Sequence, residues 1–494
     1  MLFSYLRVKC RRTMGDEFIS SWPTLYYVSE WLVRLVMLVI VIGRPPPRAA
    51  MSWLLVIFFL PWPGLLLYLF IGENHLPRRR LTKRKALLAG LEDMRRRYMP
   101  RGQDVSSMVG REFLPTVTLA ERLGYMPIMS GNQATLLTDT DTVIDRLVGD
   151  IDAARHHVHI LVYIFAVDRT GERIVAALER AAARGIECRL LADAQGSRKF
   201  LKKMLRRLAG AGIEVYPALP VSLLRAWVAR IDLRNHRKIF VIDGQIAYTG
   251  SQNIVDAGYG HRHLRWHDLM VRLTGPVVLE LQAVFAGDWF AESDELLDGP
   301  GIFPDGTTAA EGGVAVQTLP SGPLFPAENY QRLTVAALYA TRRKVTITTP
   351  YFVPDEVFLE AMETVALRGV VVELIVPLQS DQILVANAAR GYYDRLLNSG
   401  IRIYLFNRGL VHAKSITVDD SLAFLGSSNF DIRSFALNFE INMIVYDAGF
   451  AATLRQQQDW YRAHSRQLTL AQWQQRPRYQ RILQNIIKLL SPLL

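Results

Sequence analysis

One pattern of chemically capable residues occurs twice in this chain. His236-Arg237-Lys238 is followed by four apolar residues and Asp243, then by Gly250-Ser251-Gln252-Asn253. His412-Ala413-Lys414 is followed by Asp419, then by Gly426-Ser427-Ser428-Asn429. Both copies read His-x-Lys-x4-Asp with Gly-Ser-x-Asn at identical spacing, a coincidence that chance does not supply twice. On a strand, residues two apart share a face, so each imidazole and its ammonium converge on one point. Gly-Ser-x-Asn, at the end of the following strand, adds a turn and an amide donor near that point. One copy offers one histidine. Two docked copies offer a histidine on each side of a phosphodiester, which suits in-line displacement with a nucleophile on one side and an acid at the leaving oxygen.

The elements needed to position these residues repeat as well. Val158 to Phe165 and Val345 to Phe352 read as strands, Arg184-Gly185-Ile186 and Arg368-Gly369-Val370 open second strands, and Gly212-Ile213 and Gly400-Ile401 open third ones. Between the first two strands, Ile174, Val175, Leu178 and Ala181 recur at helical spacing. Val357, Ala361, Val365 and Leu367 occupy the matching stretch in the second copy. Strand, helix, strand in the same order twice predicts two α/β halves with mainly parallel sheets. The segment 294–313, rich in Gly, Pro and acidic residues, is expected to link them.

Two apolar runs precede this repeat. The first, from about Leu25 to Gly43, carries Glu30 and Arg34, four apart and able to pair on one helical face. The second, from Met51 to Gly72, carries no charge. Each approaches the ~20 residues that cross a bilayer, and a cleaved signal peptide fits neither. The connector Arg44-Pro45-Pro46-Pro47-Arg48 permits only a tight reversal, so a transmembrane helical hairpin is predicted. Cations cluster at Arg78, Arg79, Arg80, Lys83, Arg84 and Lys85, and at Arg7, Lys9, Arg11 and Arg12, which places both chain ends in the cytoplasm.

The 494 residues suffice for two or three domains, and half of them are hydrophobic. A net charge of +12 favours an anionic partner, either nucleic acid or an acidic membrane surface. The two cysteines, Cys10 and Cys188, are too few and too far apart for a disulfide framework or a zinc site. Cys10, in a basic stretch, is read as an ordinary thiol rather than an acylation site.

The duplicated motif is that of the phospholipase D superfamily. Within it, the apolar N-terminus and the segment Gly72-Glu73-Asn74-His75-Leu76 resemble the bacterial cardiolipin synthases nearly end to end, apart from an N-terminal extension of about twenty residues. The resemblance implies a ping-pong transfer joining two phosphatidylglycerols and releasing glycerol. His236 would be the nucleophile and His412 the general acid. Lys238, Lys414, Asn253 and Asn429 would hold the non-bridging oxygens, assisted by Ser251 and Ser427. Asp268 would orient His236, and Glu440 would orient His412. Asp243 and Asp419 complete the catalytic motifs, although their place along the strand favours fixing the backbone over touching substrate. No metal or cofactor is called for.

The expected domains are an extension (1–20), the hairpin (21–72), a basic juxtamembrane linker (73–125), a first half (126–298), and a second half (299–494) ending in an amphipathic helix. The expected setting is a bacterial inner membrane with the catalytic domain cytoplasmic, phosphatidylglycerol as substrate, no nucleic-acid partner and an undetermined oligomeric state. Rivals are a phospholipase D hydrolase, a transferase using another alcohol, a membrane-tethered nuclease and a non-catalytic scaffold. Weaker signals have plainer explanations. His156, His157 and His159, and His261, His263 and His267, are read as mainly structural. Residues 221–234 and the C-terminal helix around Ile482, Leu483, Ile486 and Ile487 suit either an anionic lipid surface or ordinary packing. Tyr351, Phe352 and Pro354 belong either to the wall of the site or to the core.

Overall fold

The computed structural model describes residues 2–43, 47–72, 78–98, 107–220, 232–260, 264–304, 310–326, 328–489 and 491. Most of the 221–234 segment, His261, His263, the connector 44–46 and residues 73–77 lie outside these. The chain forms two compact units, one of residues 1–78 with 222–232, the other of 79–221 with 233–494.

In the first unit, α1 (Leu2–Ile42) contains the Trp22–Ile42 stretch, long and apolar enough to cross a membrane. The second apolar run is not one helix. Pro61 interrupts it, giving α2 (Pro47–Phe59) and α3 (Pro61–Ile71), because proline opens a helix readily but cannot continue one. Among the described residues α1 is the one helix of crossing length, and α2 and α3 are shorter apolar helices. Val33, Met37, Val41, Ile57 and Tyr68 form the small core of this unit.

The second unit opens with α4 (Arg78–Tyr98) and α5 (Leu114–Gly124). The stretch expected as a linker is therefore helical over much of its length. Lys83 of α4 donates to the Phe290 carbonyl, and Val117, Ala120 and Leu123 of α5 join the core of the second half.

The first half comprises β1 (Met129–Leu137), α6 (Thr140–Asp152), β2 (His157–Val162), α7 (Arg169–Ala183), β3 (Glu187–Asp193), α8 (Arg198–Gly210), β4 (Glu214–Ala218), β5 (Ile239–Ile242), β6 (Ile246–Gly250), β7 (Trp266–His267), β8 (Met270–Thr274) and α9 (Val277–Ser293). The second comprises β9 (Val314–Ser321), α10 (Asn329–Ala340), β10 (Lys344–Thr348), β11 (Phe352–Val353), α11 (Glu356–Leu367), β12 (Val371–Pro377), α12 (Ile383–Arg390), α13 (Tyr393–Asn398), β13 (Arg402–Phe406), β14 (Leu410–Val411), β15 (Ser415–Val418), β16 (Leu422–Gly426), β17 (Phe430–Asp431), α14 (Ile432–Ala436), β18 (Glu440–Tyr446), α15 (Ala448–Ala463), β19 (Ser465–Leu468), α16 (Leu470–Gln474) and α17 (Arg478–Leu489).

β1 and β9 pair antiparallel and fuse the halves into one sheet of 15 strands. Outward from that seam the arms correspond strand for strand: β8 with β18, β6 with β16, β5 with β15, β2 with β10, β3 with β12, β4 with β13. Within this sheet, among the described residues, only β2–β3–β4 and β10–β12–β13 run parallel. The sheet is mixed rather than mainly parallel, because turns as short as Asp243–Gln245 can join only antiparallel neighbours. α7 buries Ile174, Val175, Leu178 and Ala181 as its spacing predicts, behind an Asp168 cap that accepts from Gly171 N–H. α11 differs: Val357 and Leu367 are exposed, and Phe358, Ala361, Met362 and Val365 make the packing face.

Candidate active site

Asn235 and His236 lead into β5, and His412 into β15, so each histidine enters the site where its strand begins. The strand before each histidine pairs with the other half. β14, just before His412, pairs parallel with β7, just before Asp268. Asn235 bridges Phe439, just before Glu440, and His236 N–H donates to the Phe439 carbonyl at 2.8 Å. The carboxylates are thereby carried across the seam. His236 Nδ1 lies 2.9 Å from Glu440 Oε2, and His412 Nδ1 lies 2.6 Å from Asp268 Oδ1. The expected partners are exchanged: Glu440 serves His236 and Asp268 serves His412. No local signal in one sequence could have given this, because it depends on which half receives β7.

Each carboxylate is anchored in its own half. Ser251 Oγ donates to Asp268 at 2.6 Å, and Ser427 Oγ donates to Glu440 at 2.5 Å. A serine hydroxyl has one proton, so these two serines support carboxylates rather than phosphate, correcting their expected role. Glu440 also accepts from Ser434 and Asn438, whose side chains bind its second oxygen.

Lys238 and Lys414 are buried, each folded so that Nζ donates to the carbonyl of its own histidine at 2.6 Å. Asn253 Oδ1 accepts from Ile164 N–H, and Asn429 Oδ1 is buried without a protein partner. Asp243 and Asp419 sit at the far ends of β5 and β15 with φ of 54° and 47°. Asp243 accepts from the backbone N–H groups of Arg155, His156 and His157, and Asp419 from those of Arg342, Arg343 and Lys344. These motif aspartates tie strand ends together and do not reach the imidazoles, which corrects their place in the catalytic set.

Burial dominates the electrostatics. It pushes His236 down to about 4 against the pull of Glu440, and it lowers His412, where Lys414 adds to the effect and Asp268 opposes it. Burial also brings Lys238 down to about 8 and Lys414 to about 7. For the carboxylates burial works upward but is overcome. His412 holds Asp268 at about 2, and His236 keeps Glu440 below its usual range. Near neutral pH both imidazoles are neutral and both carboxylates ionised. Nδ1–H of each ring then donates to its carboxylate, leaving Nε2 with a lone pair.

Several contributors escaped the sequence. The Tyr163 ring meets His236 edge-on at 4.8 Å, with Lys238 above it at 5.4 Å. Trp266 packs on His412 at 4.4 Å. Arg237 is buried, ion-paired to Asp288 at 2.6 Å, and donates to the Glu440 and Ser321 carbonyls.

The weaker candidates also find places. His157 and His159 stack on each other inside the first half, with His159 against Phe285. His267 packs on Phe406 and Trp460, while its carbonyl accepts from His412 N–H. Tyr351 donates to Asp381, and Phe352 is core. α17 turns Gln484 and Ile487 inward and leaves Ile482, Leu483 and Ile486 exposed, beside the exposed Ile383 and Leu384 of α12.

The family profile described as "Cardiolipin synthase, PLD-like domain" matches residues 147–289 and 335–461, one segment per half. The chain belongs to that family. A second profile, "Phospholipase_D-nuclease N-terminal", matches residues 32–73. A protein named cardiolipin synthase A from Yersinia pseudotuberculosis is 39% identical over 96% of this chain and 99% of its own. One from Serratia proteamaculans is 39% identical over 95% of this chain and 100% of its own. Among solved structures, phosphatidylserine synthase from Haemophilus influenzae aligns with a TM-score of 0.58 at 15% identity, over 78% of this chain and 98% of that one. At that identity the likeness is one of fold.

Proposed function

We propose that this enzyme moves a phosphatidyl group from one phosphatidylglycerol to another, forming cardiolipin and releasing glycerol. The observation that carries it is the pair of imidazoles, each fixed through Nδ1 by the opposite half's carboxylate, with a buried lysine beside each. Nε2 of His236 attacks phosphorus as the bond to the departing glycerol oxygen breaks. His412, protonated once an anionic phosphodiester is bound beside it, gives that oxygen its proton. The intermediate is a phosphatidyl-His236. Neutral His412 then takes the proton from a hydroxyl of the second phosphatidylglycerol, whose oxygen attacks phosphorus and frees His236. Lys238 and Lys414, with the amides of Asn253 and Asn429, meet the charge that develops on the non-bridging oxygens.

The catalytic unit sits at the cytoplasmic face, held there by the N-terminal apolar segment, on the weight of the cations from Arg78 to Lys85. The exposed apolar residues of α12 and α17, flanked by Arg478 and Arg481, suit a lipid substrate better than nucleic acid. Incubating the detergent-solubilised protein with labelled phosphatidylglycerol alone tests this. Cardiolipin and glycerol are expected, and both vanish in His236→Ala and His412→Ala. Phosphatidic acid without cardiolipin would make water the acceptor and the chain a phospholipase.

A further inference from the structure

We propose that α2 and α3 form a re-entrant hairpin embedded among the acyl chains of one leaflet, so that α1 is the sole crossing among the described residues and the N-terminal extension lies on the opposite side of the bilayer from the end of α3. Trp22–Ile42, at 21 residues, spans about 32 Å at 1.5 Å per residue, enough for a hydrocarbon core of about 30 Å. α2 with 13 residues and α3 with 11 reach only about 20 and 17 Å. In a continuous helix Trp53 and Tyr68 would stand about 22 Å apart. Their rings meet edge-on at 5.3 Å. Gly64 explains how closely the limbs approach: a Cβ there would lie 2.9 Å from Ile57 Cα.

A helix broken at membrane depth leaves carbonyls that no water can satisfy. α1 supplies the partners. Arg34 Nε donates to the Phe58 carbonyl at 3.1 Å, next to the break, and Arg34 is itself held by Glu30 at 3.4 Å. Trp62, just past the break, donates to Ser29 Oγ at 3.3 Å. The polar residues that interrupt the apolar face of α1 thus have a use, and they lie near the middle of Trp22–Ile42. The turn therefore reaches about the midplane, and α3 returns toward the level at which α2 began. The outward residues Leu55, Phe59, Leu66 and Leu69 are exposed and apolar, as lipid contact requires.

Single cysteines test the topology in the full chain, in a Cys10→Ser background where Cys188 is buried. Ser4→Cys, Arg48→Cys and Gln472→Cys are each exposed to a membrane-impermeant maleimide in spheroplasts of a bacterial host, before and after permeabilisation. Position 4 is expected to label from outside, and positions 48 and 472 only after permeabilisation. Labelling of 48 from outside, or protection of 4, overturns the proposal. Independently of orientation, Trp53→Cys with Tyr68→Cys is expected to cross-link within one chain under a short bis-maleimide. Absence of that cross-link in membranes also overturns it. Neither readout depends on turnover, so both stand apart from the test of the reaction.

Discussion

The two halves share a strand order, a motif and a placement of carboxylate, yet they surround their histidines differently. Glu440, the partner of His236, is held by Ser427, Ser434 and Asn438; Asp268, the partner of His412, is held by Ser251. Between His236 and Lys238 stands Arg237, which reaches across to the Glu440 and Ser321 carbonyls, whereas Ala413 fills the matching position. Burial takes His236 down to about 4, and the Tyr163 edge covers it. The backbone is duplicated, but the electrostatics are not. The more densely bonded carboxylate stands behind His236, in keeping with the nucleophilic role proposed for it.

The largest effect should come from the histidines. Alanine at 236 or 412 is expected to cost about 10³-fold or more in kcat with phosphatidylglycerol, in line with loss of one member of a catalytic set. A donor with a nitrophenol head group separates them, since that leaving group needs no acid. His412→Ala should then release nitrophenol in a burst and accumulate a phosphorylated histidine, while His236→Ala should not. An adduct on His412 would reverse the assignment.

The crossed partners can be broken next. Asp268→Asn should copy His412→Ala, with most of its loss recovered on the nitrophenol donor. Glu440→Gln should copy His236→Ala and stay slow on both. Each is expected to lose about 10²-fold, as when a proton-transfer group loses its efficiency. The opposite pattern would restore same-half pairing.

Arg237 has no counterpart, so its removal should act on stability. Arg237→Ala removes the cation paired with buried Asp288, which keeps the Asn235 amide, and should cost about 3–5 kcal/mol, the usual penalty for breaking a buried pair. A denaturation midpoint that does not move would sink this.

The smallest effect is in the pH profile. kcat/KM reports the free enzyme, in which Lys414 titrates at about 7 and Lys238 at about 8. In the proposed mechanism both meet phosphate in the charged form, so kcat/KM should fall as pH rises through that window. The acid limb set by His236 lies near 4. Measurement from pH 5 to 10 checks the sign, and a profile still rising at pH 9 would contradict it.

Much of this was legible in the residues. Spacing alone located both His-Lys pairs and both strand–helix–strand units, because periodicity and motif are local. The face of α7 was readable for the same reason, whereas α11 was misjudged because Phe358 and Met362 outweigh the flanking valine and leucine in packing. The partners of His236 and His412 were not readable, since pairing across the seam is set by where β7 and Phe439 dock, far along the chain. Pro61 marks the second apolar run as one that a single helix does not continue through. What was hidden was that Trp53 and Tyr68 meet, which turns an interruption into a reversal.

His236 lies 204 residues before Glu440. During synthesis the apolar segment and the first motif are complete long before that carboxylate leaves the ribosome. A growing chain therefore carries a His236 without its orienting carboxylate until β18 is made.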